Sequence, residues 1–176
     1  MLLQDDDGRL RAVDWQDHEE RMQRLLCRHY GSDGVALRPG DGTSPAVKQL
    51  RRYFAGELCA LDELRVETAG TQFQRRVWSA LREITVGTTI SYGELARRIG
   101  KPSASRAVGL ANGANSVGIV VPCHRVIGAD ASLTGYGGGI ERKRWLLAHE
   151  GANCPRVTVC GADPMPDAQG RRAGLG

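Results

Sequence analysis

No stretch of this 176-residue chain approaches the run of ~18 apolar residues that a membrane-spanning helix needs. The amino terminus carries no apolar leader either, because Met1-Leu2-Leu3 runs straight into Asp5-Asp6-Asp7. Paired cysteine spacing is missing as well. The five cysteines, at 27, 59, 123, 154 and 160, are odd in number and scattered. That argues against a disulfide framework and for free thiols in a reducing compartment, the cytoplasm by default. Neither C-x-x-C nor H-x-x-x-H occurs, so no metal site and no structural zinc are expected. With 41% hydrophobic and 25% charged residues, the chain reads as a globular protein with a real core. Its length suits one domain or two small ones sharing an interface.

Charge is uneven along the chain. Residues 1–70 hold ten Lys/Arg against thirteen Asp/Glu, whereas residues 71–151 hold eleven against five. A basic segment beside an acidic one suits a polyanion-binding unit next to a non-binding one. Surface arginines scattered without function would give the same imbalance.

The punctuation predicts a mixed α/β (α+β) chain. Leu10 to Trp15 alternates like a strand, and His18 to Tyr30 has the spacing of a helix stopped by Gly31. Arg38 to Pro45 reads as a loop, with Pro45 opening a helix through Phe54. Glu57 to Thr68 connects the halves and is where the boundary is placed, giving domains 1–68 and 69–151. Thr71 with Gln74 makes a capping box before a helix carrying Phe73, Val77, Leu81 and Ile84. Ser91 with Glu94 makes another, and Ser103 is expected to cap a helix from Ala104 to Ala111, terminated by Asn112-Gly113. Two short helices across Gly100-Lys101-Pro102 form a helix-turn-helix candidate. Val117 to Val121 reads as a buried strand, Arg125 to Ile127 as its return, and Ile140 to Glu150 as a last helix before Gly151. Residues 152–176 read as a flexible tail.

Cys123 and His124 are adjacent, the one place where these residue types meet. A cysteine nucleophile works as thiolate and needs a neighbour that takes its proton. His124, with a carboxylate such as Glu150 behind it, could supply that chain. Adjacent side chains on an extended backbone point apart, so the chain must turn there, which Pro122 favours. The residues alone leave alternatives open. Cys123 could be a buried structural cysteine, or the nucleophile of a Cys–His hydrolase. By default Glu150 is a helix-end carboxylate, Tyr92 and Tyr136 are packing residues, Arg106 is a solvated helix residue and Asn115 is a turn residue.

Pro122-Cys123-His124-Arg125-Val126 resembles the signature around the acceptor cysteine of the O6-alkylguanine-DNA alkyltransferases, also called methylated-DNA–protein-cysteine methyltransferases. The likeness extends through Gly70-Thr71-Gln72-Phe73-Gln74 and Ser91-Tyr92-Gly93-Glu94-Leu95-Ala96. It continues through Ser105-Arg106-Ala107-Val108-Gly109, Ala111-Asn112-Gly113-Ala114-Asn115, Leu133 to Gly139 and Lys143 to Gly151. Residues 70–151 are covered almost continuously. Leu10 to Trp15 and Tyr53 to Leu58 resemble the constitutive bacterial branch.

The resemblance implies a small N-terminal α/β domain and a mostly helical C-terminal one with a winged helix-turn-helix-like DNA-binding motif. It implies single-use repair of O6-alkylguanine in double-stranded DNA, with O4-alkylthymine left open as a second substrate. Arg106, flanked by Ser105 and Ala107, would contact DNA and fill the gap left by the extruded guanine. Tyr92, Val126 and Tyr136 would bound the base pocket, with backbone near Gly137 contacting the base. His124, oriented by Glu150, would take the Cys123 proton through a water, Asn115 would be the hinge, and Tyr92 would help guanine leave. No cofactor, membrane or obligate protein partner is implied, and the protein would act as a monomer. A non-catalytic relative that only binds alkylated DNA would lack the acceptor thiol, which is present here. Two features depart from the family pattern. The chain starts with little more than the family's second strand, so its N-terminal sheet is expected to lack the first. The 152–176 tail has no counterpart.

Overall fold

In a computed structural model the protein is described over residues 1–31 and 36–152, so the expected tail lies outside the described residues apart from Ala152. The amino-terminal part opens with strands β1 (Leu2–Gln4) and β2 (Leu10–Val13), antiparallel with Leu2 opposite Val13 and Leu3 opposite Ala12. A strand pair thus precedes the first helix, contrary to the expectation that the first strand is missing; its three residues are too few for periodicity to reveal. Asp5 closes the connection by accepting from the backbone N–H groups of Asp7 and Arg9. After a 3-10 turn (Gln16–His18), helix α1 (Glu19–Tyr30) buries Met22, Leu25 and Leu26 and stops at Gly31, whose φ is +84°. Helix α2 (Pro45–Phe54) starts with proline at its first position, and Ser44 Oγ accepts from Val47 N. Its inward residues are Ala46 and Tyr53.

Helix α3 (Gln72–Arg82) realises the full capping box, Thr71 and Gln74 each binding the other's backbone N–H. Strand β3 (Ile90–Ser91) runs directly into helix α4 (Tyr92–Arg98). Only half of the second box forms here. Ser91 Oγ accepts from Glu94 N, but the Glu94 carboxylate turns to Arg97 and Arg98. Helix α5 (Ser105–Gly113) differs from expectation at both ends: Ala104 is the cap residue, and Asn112 and Gly113 stay helical. A turn closed by Ala104 N to Lys101 O brings the chain into the helix without help from Ser103. Helices α3, α4 and α5 pack on one another, α4 and α5 forming the helix-turn-helix.

Two strand expectations are corrected. Val117–Val121 is a buried turn, with one bridge from Val117 to Val13 and Ile119 at φ +69°. Its apolar residues enter the core by burial alone, which periodicity cannot tell from a strand. The strand after the cysteine is β4 (Val126–Ile127), and it pairs in parallel with β3, not with residues 117–121. Helix α6 (Ile140–His149) ends with Glu150 as C-cap and Gly151 at φ +70°. One core cluster joins Leu10, Val13 and Tyr53 to Val77, Leu81, Leu95, Val121, Val126 and Leu146. The mixed helix-and-small-sheet class expected from the sequence is the one present.

Candidate active site

Cys123, His124 and Arg125 form a 3-10 turn entered through Pro122, which sits at φ −81° and ψ 63°. The backbone thus departs from the strict side-to-side alternation of an extended strand at these two adjacent residues. Cys123 is 7% exposed and His124 is fully buried. The sulfur is held from behind by Asn115, whose Nδ2 lies 3.3 Å from Sγ and also donates to Val121 O at 2.9 Å. Asn115 Oδ1 accepts from Val117 N at 3.0 Å, so the carboxamide closes the buried turn with both ends. Burial pushes the Cys123 thiol up, and Asn115, Arg21 and Lys143 offset only part of that shift. The thiol is therefore neutral at rest, and its reactivity depends on a proton acceptor.

The adjacent residue, His124, is a group that can accept a proton. Its Nε2 lies 3.0 Å from Glu150 Oε1. A carboxylate only accepts, so the network assigns the ring hydrogen to Nε2 and leaves Nδ1 with a bare lone pair. Nδ1 has no hydrogen-bond partner among the described residues. Burial lowers the His124 pKa, with Glu150 acting in the opposite sense. The imidazole thus rests neutral. Glu150 is itself buried, which alone would raise its pKa, but hydrogen bonds from His124 and Arg125 outweigh this and hold it well below the usual carboxylate range. Arg125 grips it with Nε on Oε2 at 2.8 Å and Nη2 on Oε1 at 2.9 Å, and fixes its own Nη1 on Ile84 O at 2.6 Å.

Above the sulfur opens a cavity of about 410 Å³ lined by Tyr92, Gly109, Asn112, Gly113, Cys123, Gly135, Tyr136 and Gly137. Of the expected pocket residues, Tyr92, Tyr136 and Gly137 line it. Val126 does not; it is fully buried in β4, whose pairing with β3 turns it into the core. Ser105, Arg106 and Ala107 stand exposed on the first turn of α5, while the last turn of the same helix reaches the cavity. Tyr92 Oη and Thr134 Oγ1 are 3.2 Å apart across the mouth.

Sequence reasoning missed the supporting residues. Lys143 is fully buried, and its Nζ donates to Val126 O at 2.7 Å and Thr134 O at 2.9 Å, tying β4 to the glycine loop. Arg21 pairs with Asp14 and donates to Asn115 O at 3.2 Å, and a Cβ on Gly137 would overlap its guanidinium. Trp15 likewise occupies the space a Gly138 side chain would need. Arg142 lies 4.7 Å over the Trp15 ring. Tyr53 donates to Glu150 Oε1 at 2.7 Å. Arg125 carried a signal in its place beside Cys123 and His124, and Trp15, Tyr53 and Lys143 fall within the segments that resemble the family; the contacts they make, remote in sequence, carried none. Among the described residues no group of three or more His, Cys, Asp or Glu could hold a metal ion, and no helix is long and apolar enough to cross a membrane.

Residues 72–152 match the family model for the 6-O-methylguanine DNA methyltransferase DNA binding domain. The methylated-DNA–protein-cysteine methyltransferase of Salmonella typhimurium is 50% identical over 147 residues, 84% of this chain and 86% of the relative. A Mycobacterium tuberculosis OGT solved in complex with DNA is similar with a TM-score of 0.58 and 58% identity, over 61% of this chain and 66% of that one. The O6-methylguanine-DNA methyltransferase of Pyrococcus kodakaraensis gives a TM-score of 0.68 at 31% identity, covering 86% and 89%. With half of the aligned residues identical across most of both chains, and with Cys123 and a buried His124–Glu150 pair beneath a cavity flanked by a helix-turn-helix, the chain belongs to the methylated-DNA–protein-cysteine methyltransferase family.

Proposed function

We propose that this protein repairs O6-alkylguanine in double-stranded DNA by moving the alkyl carbon onto Cys123, once per molecule. The observation that carries the reading is the bare Nδ1 of His124. It belongs to a neutral imidazole whose other nitrogen is committed to Glu150, next in the chain to a buried thiol that opens on a cavity. In the reaction the Cys123 proton passes to His124 Nδ1, directly or through a water. The sulfur electron pair forms the S–C bond as the C–O6 bond breaks. Guanine leaves with the electron pair of the broken C–O6 bond and takes up one proton, donated by Tyr92 at the cavity wall. Nothing in a thioether invites hydrolysis, so the sulfur stays alkylated.

In duplex DNA the base is held in the stack and its O6 cannot enter the cavity, so the base must be extruded to reach Cys123, which is 7% exposed. Arg106 on the exposed start of α5 fills the gap, and Ser105 and Ala107 touch the strand beside it. The excess of Lys/Arg in residues 71–151 supplies the salt-dependent attraction to phosphates. Residues 69–151 are thus read as the reacting and DNA-binding unit, and 1–68 as its support. The protein acts as a monomer in the cytoplasm without cofactor or protein partner. The free thiols of Cys27, Cys59 and Cys123 suit that reducing compartment.

Intact-mass measurement after incubation with duplex DNA containing O6-methylguanine tests the reading. A permanent gain of one methyl is expected for the parent, and none for Cys123→Ser, because one imidazole cannot ionise a hydroxyl as it does a thiol. Retained DNA binding by the serine form would show the loss to be chemical. A serine form that clears the lesion at the parental rate refutes the assignment.

A further inference from the structure

We infer that Tyr53 is a positioning residue for the transfer: its hydroxyl, contributed by α2 outside the segment bearing Cys123, His124 and Glu150, sets how strongly Glu150 holds the proton of His124. The inference rests on the relay described under the proposed function. Three donors converge on Glu150 Oε1: Tyr53 Oη at 2.7 Å, His124 Nε2 at 3.0 Å and Arg125 Nη2 at 2.9 Å. Oε2 receives Arg125 Nε at 2.8 Å. The crowded oxygen is the one that faces the histidine, so a donor added or removed there acts on His124.

Packing does not explain the hydroxyl. Tyr53 is fully buried, and its ring meets Phe54 and His149 edge-on, contacts that phenylalanine would make equally well. A buried hydroxyl is costly unless bonded, and this one is spent on the relay carboxylate. Its backbone is held in place too, since the Tyr53 carbonyl accepts from His149 Nε2 at 2.8 Å. Burial, with the Glu150 charge adding to it, pushes the Tyr53 phenol up, so the group remains a donor throughout the working range. Among the described residues, the other charged or titratable groups facing this cluster are Arg125 from the 3-10 turn, Lys143 and His149 from α6, and Tyr136 from the glycine loop.

By occupying Oε1, Tyr53 limits how far Glu150 stabilises the imidazolium and keeps His124 neutral, ready to accept the thiol proton. Removing the hydroxyl frees that oxygen for His124, which then protonates at higher pH and is lost as a base there. A stronger donor at the same position does the opposite.

The test is the pH dependence of single-turnover methyl transfer from duplex DNA to the full chain. Three forms are compared: the parent, Tyr53→Phe, and protein with Tyr53 replaced by 3-fluorotyrosine, a more acidic phenol. The acidic limb is expected to move up by about 0.5–1 pH unit in the phenylalanine form and down by less in the fluorinated one. Phe54→Leu, which loosens the same packing without touching Oε1, should lower the thermal midpoint and leave the limb in place. A limb common to all three forms, or one that moves the same way in both variants, overturns the inference. Should Tyr53→Phe not fold, the fluorinated form keeps the shape, and its downward shift or lack of one decides alone. Failure of the underlying relay looks different: the parent itself would take up no methyl on Cys123, or would show no acidic limb.

Discussion

Replacing Glu150 by glutamine preserves shape and removes the negative charge from the centre of the buried cluster. Among the described residues, every hydrogen-bond partner of that side chain is a donor: Tyr53 Oη, His124 Nε2, and Nε and Nη2 of Arg125. A carboxamide NH₂ therefore meets a donor whichever way it is rotated, and Arg125, 9% exposed, keeps its charge without an anion. Breaking a buried ion pair from one side costs about 3–5 kcal/mol, a large part of a total stability of about 5–15 kcal/mol. With a urea slope of about 1.5–3 kcal/mol per molar, the unfolding midpoint should fall by roughly 1–3 M. The chemistry suffers separately. His124 loses the acceptor that fixes its tautomer and stabilises its protonated form, and neutralising the analogous aspartate of a serine protease costs ~10⁴ in kcat. Single-turnover methyl transfer should slow by about 10²–10⁴. The pH dependence has a defined sign. The folded pKa of Glu150 is depressed below its ordinary 4.5, so its stabilisation is fully present above that value and is lost as pH falls through the folded pKa. The stability gap between parent and Glu150→Gln should hold constant from neutrality down to pH 4.5 and narrow below it. A variant with the parental urea midpoint and a rate within about threefold of the parent would refute the cluster as the support of the relay.

Arg106→Ala should slow repair of duplex DNA more than repair of the same lesion in a single strand, where no stack must be opened; equal slowing on both would reduce Arg106 to a phosphate contact. Gly138→Ala puts a Cβ into the Trp15 indole and against the Tyr136 ring, so thermal unfolding should report a loss of about 1–3 kcal/mol, and an unchanged midpoint would contradict the close approach. Methylated Cys123, 7% exposed with Asn115 Nδ2 at 3.3 Å, should leave the DNA-free protein less stable by a similar ~1–3 kcal/mol, measured by urea unfolding before and after stoichiometric reaction. A methylated form as stable as the thiol would show spare room at the sulfur.

The capping box at Thr71, the serine cap at Ser91, proline at the head of α2 and the glycine stops were legible because they act within one helical turn. The Cys123–His124–Glu150 constellation was legible for another reason: the first two are adjacent, and the third closes a well-marked helix. What escaped was long-range. An apolar run does not say whether it is a strand or a turn, and residues 117–121 form a turn whose pairing, among the described residues, is the single bridge from Val117 to Val13. Val126 was assigned to the pocket from the motif around it, but the parallel pairing with Ile90 turned it inward. Lys143 and Arg21 look like ordinary helix cations; that both serve the pocket follows only from where backbone carbonyls 9 to 94 positions away happen to fall.

The two-rung ladder between β3 and β4 behaves like the fixed jaw of a caliper. Ser91 is at once a rung and the cap of the helix that begins with Tyr92, while Val126 follows directly on the turn that holds Cys123. The span from Tyr92 to the sulfur is thereby set by backbone pairing and cannot widen without breaking it. The other jaw is the glycine loop opposite, and packed against it are Trp15 and Arg21 from the amino-terminal part. Tolerance for bulkier adducts is thus adjustable from residues more than a hundred positions before the loop they hold, with the atoms around the sulfur left untouched.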